Sequence, residues 1–279
     1  MKKISAVFDG LRFSEGTLQY AIQLAEASKA LLSGVFLEPF HYHSFHMGDM
    51  IGSHGISPVK LKHLLAEDNE IRRKYVQHFE DACKNARLNY AIHRDENFAV
   101  NEIVKESVYS DLALISKAET FSNLAEARPT RFVADLLEGT QCPVMVVPGE
   151  YKETEKVVLL YDGKPSSVFA IKMFNYMMPW MRNIETEIIS VSDPGNKEEL
   201  PEGPLIKEFI DCHYPGATYT LLKGNPEQEI VNYLKQIPQN TLIVLGAYKR
   251  GSVSRWFKTS MADILMKEVE MPLFIAHYK

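Results

Sequence analysis

No stretch of this 279-residue chain approaches the roughly 18 consecutive apolar residues that a membrane span needs, so no membrane role is expected. The opening "MKKISAVFDG" has two lysines and then only a short apolar run before Asp9, too brief for the core of a secretion signal. Cysteine is scarce: Cys83, Cys142 and Cys212 lie far apart with no CxxC pair, which argues against a disulfide framework and against a thiolate zinc site. No run of Lys and Arg interleaved with aromatics occurs, and 31 basic against 36 acidic residues give a net charge of −5, so no nucleic-acid partner is expected. Signatures of catalysis are missing too: there is no serine elbow, no HExxH and no carboxylate pair that stands out. What remains is a soluble, cytoplasmic protein with no catalytic residue to name.

The residues that are present describe a folded α/β chain. Apolar residues at 46% and charged residues at 24% leave little room for a disordered or fibrous protein. The length is generous for one α/β domain and comfortable for two of about 140 residues each. Self-similarity supports two: "ISAVFDGLRFSEGTLQYAIQLA" from Ile4 is echoed by "VVLLYDGKPSSVFAIKMFNYM" from Val157, with Asp9 equivalent to Asp162. "DLALIS" is echoed by "TLIVLG", and "CPVMVVP" by "MPLFIAH", in the same order. Between these blocks, "ALLSGVFL", "NYAIH", "IETEIISV" and "ATYTLL" read as further buried strands. "SPVKLKHLLAEDNEIRRKYVQHFEDACKNA" reads as a long helix with one mostly apolar stripe, opened by Ser57-Pro58. Parallel neighbours require helical crossovers, so strands alternating with helices predict two doubly wound five-stranded parallel sheets. The boundary falls in the polar segment "GEYKETEK", giving a first domain over residues 1–149 and a second over 156–279.

With the repeated Asp after the first strand, "GNPEQEIVNYL", "TLIVLG" ending at Gly246 and the Pro-led last strands at Pro143 and Pro272, the chain resembles the universal stress protein family. Its two copies resemble the family's tandem members, which implies Rossmann-like sheets packed as a pseudo-dimer. The resemblance also implies a stress-response role. In nucleotide-binding members the fourth strand is followed by G-x-x-G, nine residues and G-[ST]. Here Gly246 and Ser260 keep that spacing, while Lys249 and Thr259 stand where two of the glycines would be. Glycine in such a loop takes positive φ or lets phosphate approach the backbone, and neither Lys nor a β-branched Thr does this without strain. Gly251 and Ser252 leave room for a shifted loop. The cofactor-binding candidates are therefore Asp162, Gly163, Val191, Gly246, Lys249, Gly251, Ser252, Thr259 and Ser260. The first copy is further from the pattern, with Ser116 at the Gly246 position and Arg131 at that of the final serine.

Three functions stay open. One is a non-enzymatic interaction or sensing module with a degenerate nucleotide site and an unknown protein partner. The second is a switch that binds ATP in the second copy. The third is a metal or small-ligand site in the insertion near residues 38–57, where His41, His43, His46, His54 and Asp49 gather without a fixed ligand template. Against these stand plainer readings: Asp9 and Asp162 as helix caps, the histidines as a solvated insertion, and Arg128, Arg131, Lys249, Arg250 and Arg255 as a solvated rim. Trp256 and Phe257 are expected to pack between copies. A homodimer is a further expectation.

Overall fold

The computed structural model describes the chain apart from residues 40–41, 46–50, 53–54, 96, 193–198, 247–259 and 278–279, and only the backbone of residues 51–52 and 55–56. The first half runs β1 (Lys3–Asp9), α1 (Glu15–Ser28), β2 (Leu31–Leu37), a small hairpin of β3 (Ile51–Gly52) and β4 (Gly55–Ile56), α2 (Pro58–Asn85), β5 (Tyr90–Asp95), α3 (Ala99–Val108), β6 (Leu112–Ser116), α4 (Arg131–Gly139) and β7 (Val144–Val147). The second half repeats the pattern, with no hairpin among its described residues: β8 (Lys156–Leu160), α5 (Pro165–Met177), β9 (Glu185–Ser192), α6 (Gly203–His213), β10 (Thr218–Lys223), α7 (Pro226–Leu234), β11 (Thr241–Gly246), α8 (Met261–Glu268) and β12 (Leu273–Ala276).

The near-continuous apolar strands are buried on both faces, as parallel strands between helical layers must be, whereas β5 and β10, expected to be buried, are half-buried because each has a neighbour on one side only. Along β1, Ile4, Ala6 and Phe8 join one core while Val7 joins the other, the two-residue period of a strand. The first core takes its helical contributions from α1, α2, α5 and α6, and the second from α3, α4, α7 and α8. Helix starts follow their capping residues. Ser14 accepts from Thr17 N–H at α1, and Asn225 accepts from Glu227 and Gln228 N–H at 3.0 and 3.2 Å at α7.

The main sheet has ten strands in the order β10-β9-β8-β11-β12-β7-β6-β1-β2-β5, so each half has the same internal order. Within each half all pairings of this sheet are parallel, and the halves meet through one antiparallel pair, with Val144 opposite Ile275, Met145 opposite Phe274 and Val146 opposite Leu273. Thus the two expected five-stranded sheets are present, and they join edge to edge as one continuous sheet. Pro143 and Pro272 stand just before these edge strands. Their carbonyls accept from Ala113 and Ile243 at 3.1 and 3.0 Å, while their missing N–H groups cost the ladder nothing. In each half the chain builds outward on one side of the first strand and then returns to the other. The reversal opens a crevice at the carboxyl edge, between β1 and β6 and between β8 and β11.

Candidate ligand site at the carboxyl edge

The first-half crevice is filled by the chain's own side chains. Asp9, fully buried at the end of β1, accepts from the backbone N–H of Leu11 at 2.7 Å and of Arg12 at 3.2 Å. Its other oxygen accepts from the Tyr42 hydroxyl at 2.9 Å and lies 3.4 Å from Arg12 Nε. Arg12 then crosses the crevice: its Nη2 donates to Thr120 Oγ1 at 2.8 Å and to the Ser122 carbonyl, both in the loop after β6. Beneath this bridge Glu119, only 6% exposed, accepts from the N–H groups of Thr120 and Phe121 at 3.1 and 3.4 Å. Burial, with the Asp9 charge adding to it, pushes the Glu119 carboxyl up to about 8. Burial also raises Asp9, against the pull of its hydrogen bonds and of Arg12.

Tyr42 is held over Asp9 from α2. Arg72 Nη2 donates to the Tyr42 carbonyl at 2.9 Å, and buried Asp68 accepts from Ser44 N–H at 3.2 Å and lies 3.3 Å from His43 Nδ1. Arg94 forks onto buried Glu38 with two bonds of 2.9 Å. Around Gly10 this network is so close that an added Cβ would stand 3.0 Å from the Glu38 side chain and 3.2 Å from that of Arg72.

The second-half crevice is furnished differently. The strand registers bring Asp162, Val191 and Gly246 to the carboxyl edge of β8, β9 and β11. Asp162 is exposed, and its two oxygens accept from Lys164 N–H at 3.0 Å and Lys164 Nζ at 2.8 Å. Partial burial works to raise its carboxyl, but hydrogen bonds from Lys164 and Ser167 and the lysine's charge hold it below the usual range. Gly163, at φ +76°, supports Pro201, whose Cβ would lie 2.6 Å from a Cβ placed there. Val191 packs half-buried on the α7–α8 face. Gly246 has a packing reason of its own: a Cβ would stand 2.3 Å from the Ser166 carbonyl in the first turn of α5. Ser260 caps α8, accepting from Asp263 N–H at 3.2 Å while its own N–H reaches the Asp263 carboxylate at 3.1 Å. Lys249, Gly251, Ser252 and Thr259 lie outside the described residues, as do Arg250, Arg255, Trp256, Phe257, His41, His46, His54 and Asp49. The two described members of the basic rim stand in separate ion pairs, Arg128 with Glu270 at 2.6 Å and Arg131 with Asp135 at 3.8 Å.

No protein-family model matches the sequence, and neither does any curated protein. Solved structures match the fold over its whole length. A universal stress protein from Archaeoglobus fulgidus aligns over 98% of this chain and 98% of its own, at TM-score 0.67 and 16% identity. The chain has the tandem universal stress protein fold. A putative universal stress protein from Pseudomonas aeruginosa matches at TM-score 0.62 with 12% identity, over 99% of this chain and 93% of its own. A functionally unknown protein from the same species, PA1789, matches at 0.58 and 12%, over 99% and 92%.

Within this universal stress fold the two copies differ in the loop after the first strand. Asp9 and α1 are separated by Gly10–Ser14, whereas Asp162 and α5 are separated only by Gly163 and Lys164. The longer loop carries Arg12 into the crevice. Sequence reasoning singled out neither Arg12, Tyr42 nor Glu119. The unequal loop lengths were a visible signal, as were Asp68 and Arg72 on the helix that clamps Tyr42. Among the described residues no group of three or more His, Cys, Asp and Glu comes together as a metal site, and no helix is long and apolar enough to cross a membrane.

Proposed function

We propose that this chain is a non-enzymatic stress-response protein of the universal stress type. It works in the cytoplasm as a sensing or interaction module with a protein partner, either as one chain or as a homodimer. Its units are residues 1–149 and 156–279; the first holds no nucleotide, and the second keeps a reduced nucleotide site. The observation that carries this reading is the Arg12 bridge, which takes up Asp9 and closes the crevice against the Thr120–Ser122 loop. Mass spectrometry of natively purified protein, followed by calorimetric titration with Mg-ATP, tests it. The expected result is no stoichiometric nucleotide, with any weak binding unchanged by Asp9→Asn. Tight ATP binding that Asp9→Asn abolishes overturns it.

A second reading, an ATP-binding switch in the second copy, is supported by exposed Asp162 beside Val191 and Gly246 on adjacent strands. Lys249→Gly combined with Thr259→Gly separates the two readings by sign. A gain in ATP affinity supports a degenerate site, and a loss supports a lysine that pairs with phosphate in a working switch.

A further inference from the structure

The ten-stranded sheet ends at β5 on one side and at β10 on the other. Backbone parity fixes which groups β5 presents at its outer edge. The Asn89 and Asp95 carbonyls turn inward and accept from Leu32 and Glu38 N–H at 3.0 and 2.8 Å, so by the alternation of a strand Tyr90 and Ile92 turn their N–H and C=O groups outward. Among the described residues no strand pairs with them there. An edge of this kind is a template for another strand.

The two ends of this edge carry opposite charges. Arg87, in the turn that leads into β5, is exposed, and Asp95 closes the strand half-buried. Among the described residues neither side chain forms an ion pair. Burial, and then the charges of Glu102 and Glu106 on α3, raise the Asp95 carboxyl against the pull of Lys105 and His93. The acidic end therefore lacks a cation, and a second copy of the edge, laid antiparallel, brings its own Arg87 there. The other outer strand has no such match. In β10 the Gly224 N–H turns inward to the Ser192 carbonyl, which puts Lys223 at an outward position, and lysine is the residue type that most often guards a strand edge against pairing.

We propose that two copies of this chain pair antiparallel along β5, about a twofold axis at Ala91. In this register Tyr90 of each copy exchanges both backbone hydrogen bonds with Ile92 of the other, and Asp95 stands opposite Arg87. Tyr90 against Ile92 is an aromatic and β-branched cross-strand pair, of the kind that stabilises sheets. Ala91 meets itself at the close spacing of a non-hydrogen-bonded pair, which suits a small side chain. A shift of two residues keeps the backbone parity but parts Asp95 from Arg87. The contact repeats between chains what the central seam does within one, where the halves join edge to edge and antiparallel. It gives the homodimer form of the proposed function its interface; a monomer would overturn the interface and leave the single-chain form of that function standing.

Sedimentation equilibrium of the full-length protein over a range of concentrations tests it. A short strand edge buries little surface, so a weak dimer is expected, one that dissociates on dilution and on addition of salt. Arg87 has φ +54°, a conformation that aspartate tolerates, and Arg87→Asp sets like charges opposite each other at both ends of the pairing. It should weaken association about tenfold, two exposed ion pairs being lost, and Asp95→Arg should do the same. An equal mixture of the two variants should associate as the unaltered protein does, because both pairs are then of opposite sign, and recovery on mixing shows that both variants are folded. A monomer at every concentration overturns the proposal, as does a dimer that Arg87→Asp leaves unchanged. Folded variants that stay apart when mixed overturn it too. Association of the unaltered protein that salt does not weaken does so without any variant, and assigns the contact to another surface.

Discussion

Glu119→Gln should change how the stability of this protein depends on pH. In the folded chain the Glu119 carboxyl titrates near 8 rather than at its ordinary 4.5, because it is buried and faces Asp9. Between those values the native state binds more protons than the unfolded state, so stability falls as pH rises. The slope is about 1.4 kcal/mol per pH unit inside the window, or roughly 3 kcal/mol between about pH 5 and about pH 7.5. Glutamine preserves an acceptor for the Thr120 and Phe121 N–H groups and carries no charge at any pH. At about pH 5, where Glu119 is already neutral, the two proteins should differ only by a constant offset. With rising pH the variant should gain on the unaltered protein by the amounts above. Asp9 is also raised by burial, so whatever it adds to the pH dependence has the same sign in both proteins. Urea unfolding followed by circular dichroism across this range gives both curves, and the comparison of slopes is immune to the offset. Parallel curves would show that Glu119 titrates as an ordinary carboxylate and that its carboxyl is not buried beneath the Arg12 bridge.

Glu270→Gln removes the carboxylate from Lys117, which is 2% exposed and otherwise donates to the Val269 carbonyl at 2.9 Å. A loss of about 1–2 kcal/mol is expected in urea unfolding, below the cost of breaking a fully buried pair because Glu270 is half exposed. Partial burial works to raise Glu270, but Lys117 and Arg128 hold it below its ordinary range. Its stabilisation should therefore be complete above that range and disappear as acid titrates the depressed carboxyl. Phe274→Ala, at a fully buried position on the seam against Met145 and Phe174, should cost about 3–5 kcal/mol in chemical denaturation. Gly246→Ala should lower stability by about 1–3 kcal/mol in thermal unfolding with no nucleotide present, since the new Cβ would collide with the Ser166 carbonyl. Unchanged stability would mean that the glycine serves only a ligand.

The repeat made the fold legible. Asp9 and Asp162 mark the same strand end, and Pro143 and Pro272 the same edge, because backbone geometry at those points is imposed by the sheet and leaves a local trace. The Asp68 of the long helix was legible only as a polar residue in an apolar stripe; its partners Ser44 and His43 are distant in sequence. The Arg12 bridge was not legible, since it joins residues 108 and 110 positions apart. Nor did "SKAETF" reveal that Lys117 and Glu119 are buried, because loop composition predicts exposure and only tertiary packing reverses it. Asp162 was preferred over Asp9 as a ligand contact. The motif carried that preference; the structure leaves Asp162 exposed and engages Asp9 internally, a difference that follows loop length.

The central antiparallel seam sets Met145 against Phe274, equivalent positions of the two copies. In a dimer of identical single-copy chains, a residue on the twofold axis meets itself. Here the axis position holds two different side chains that fit one another, and neither has been required to fit its own image. Fusion thus freed each copy from self-complementarity, so that a change in one half alters one crevice and leaves the other as it was. That same freedom commits the halves to each other: an excised first half would present methionine to methionine at the axis, and an excised second half phenylalanine to phenylalanine, so neither inherits the interface that the whole chain has.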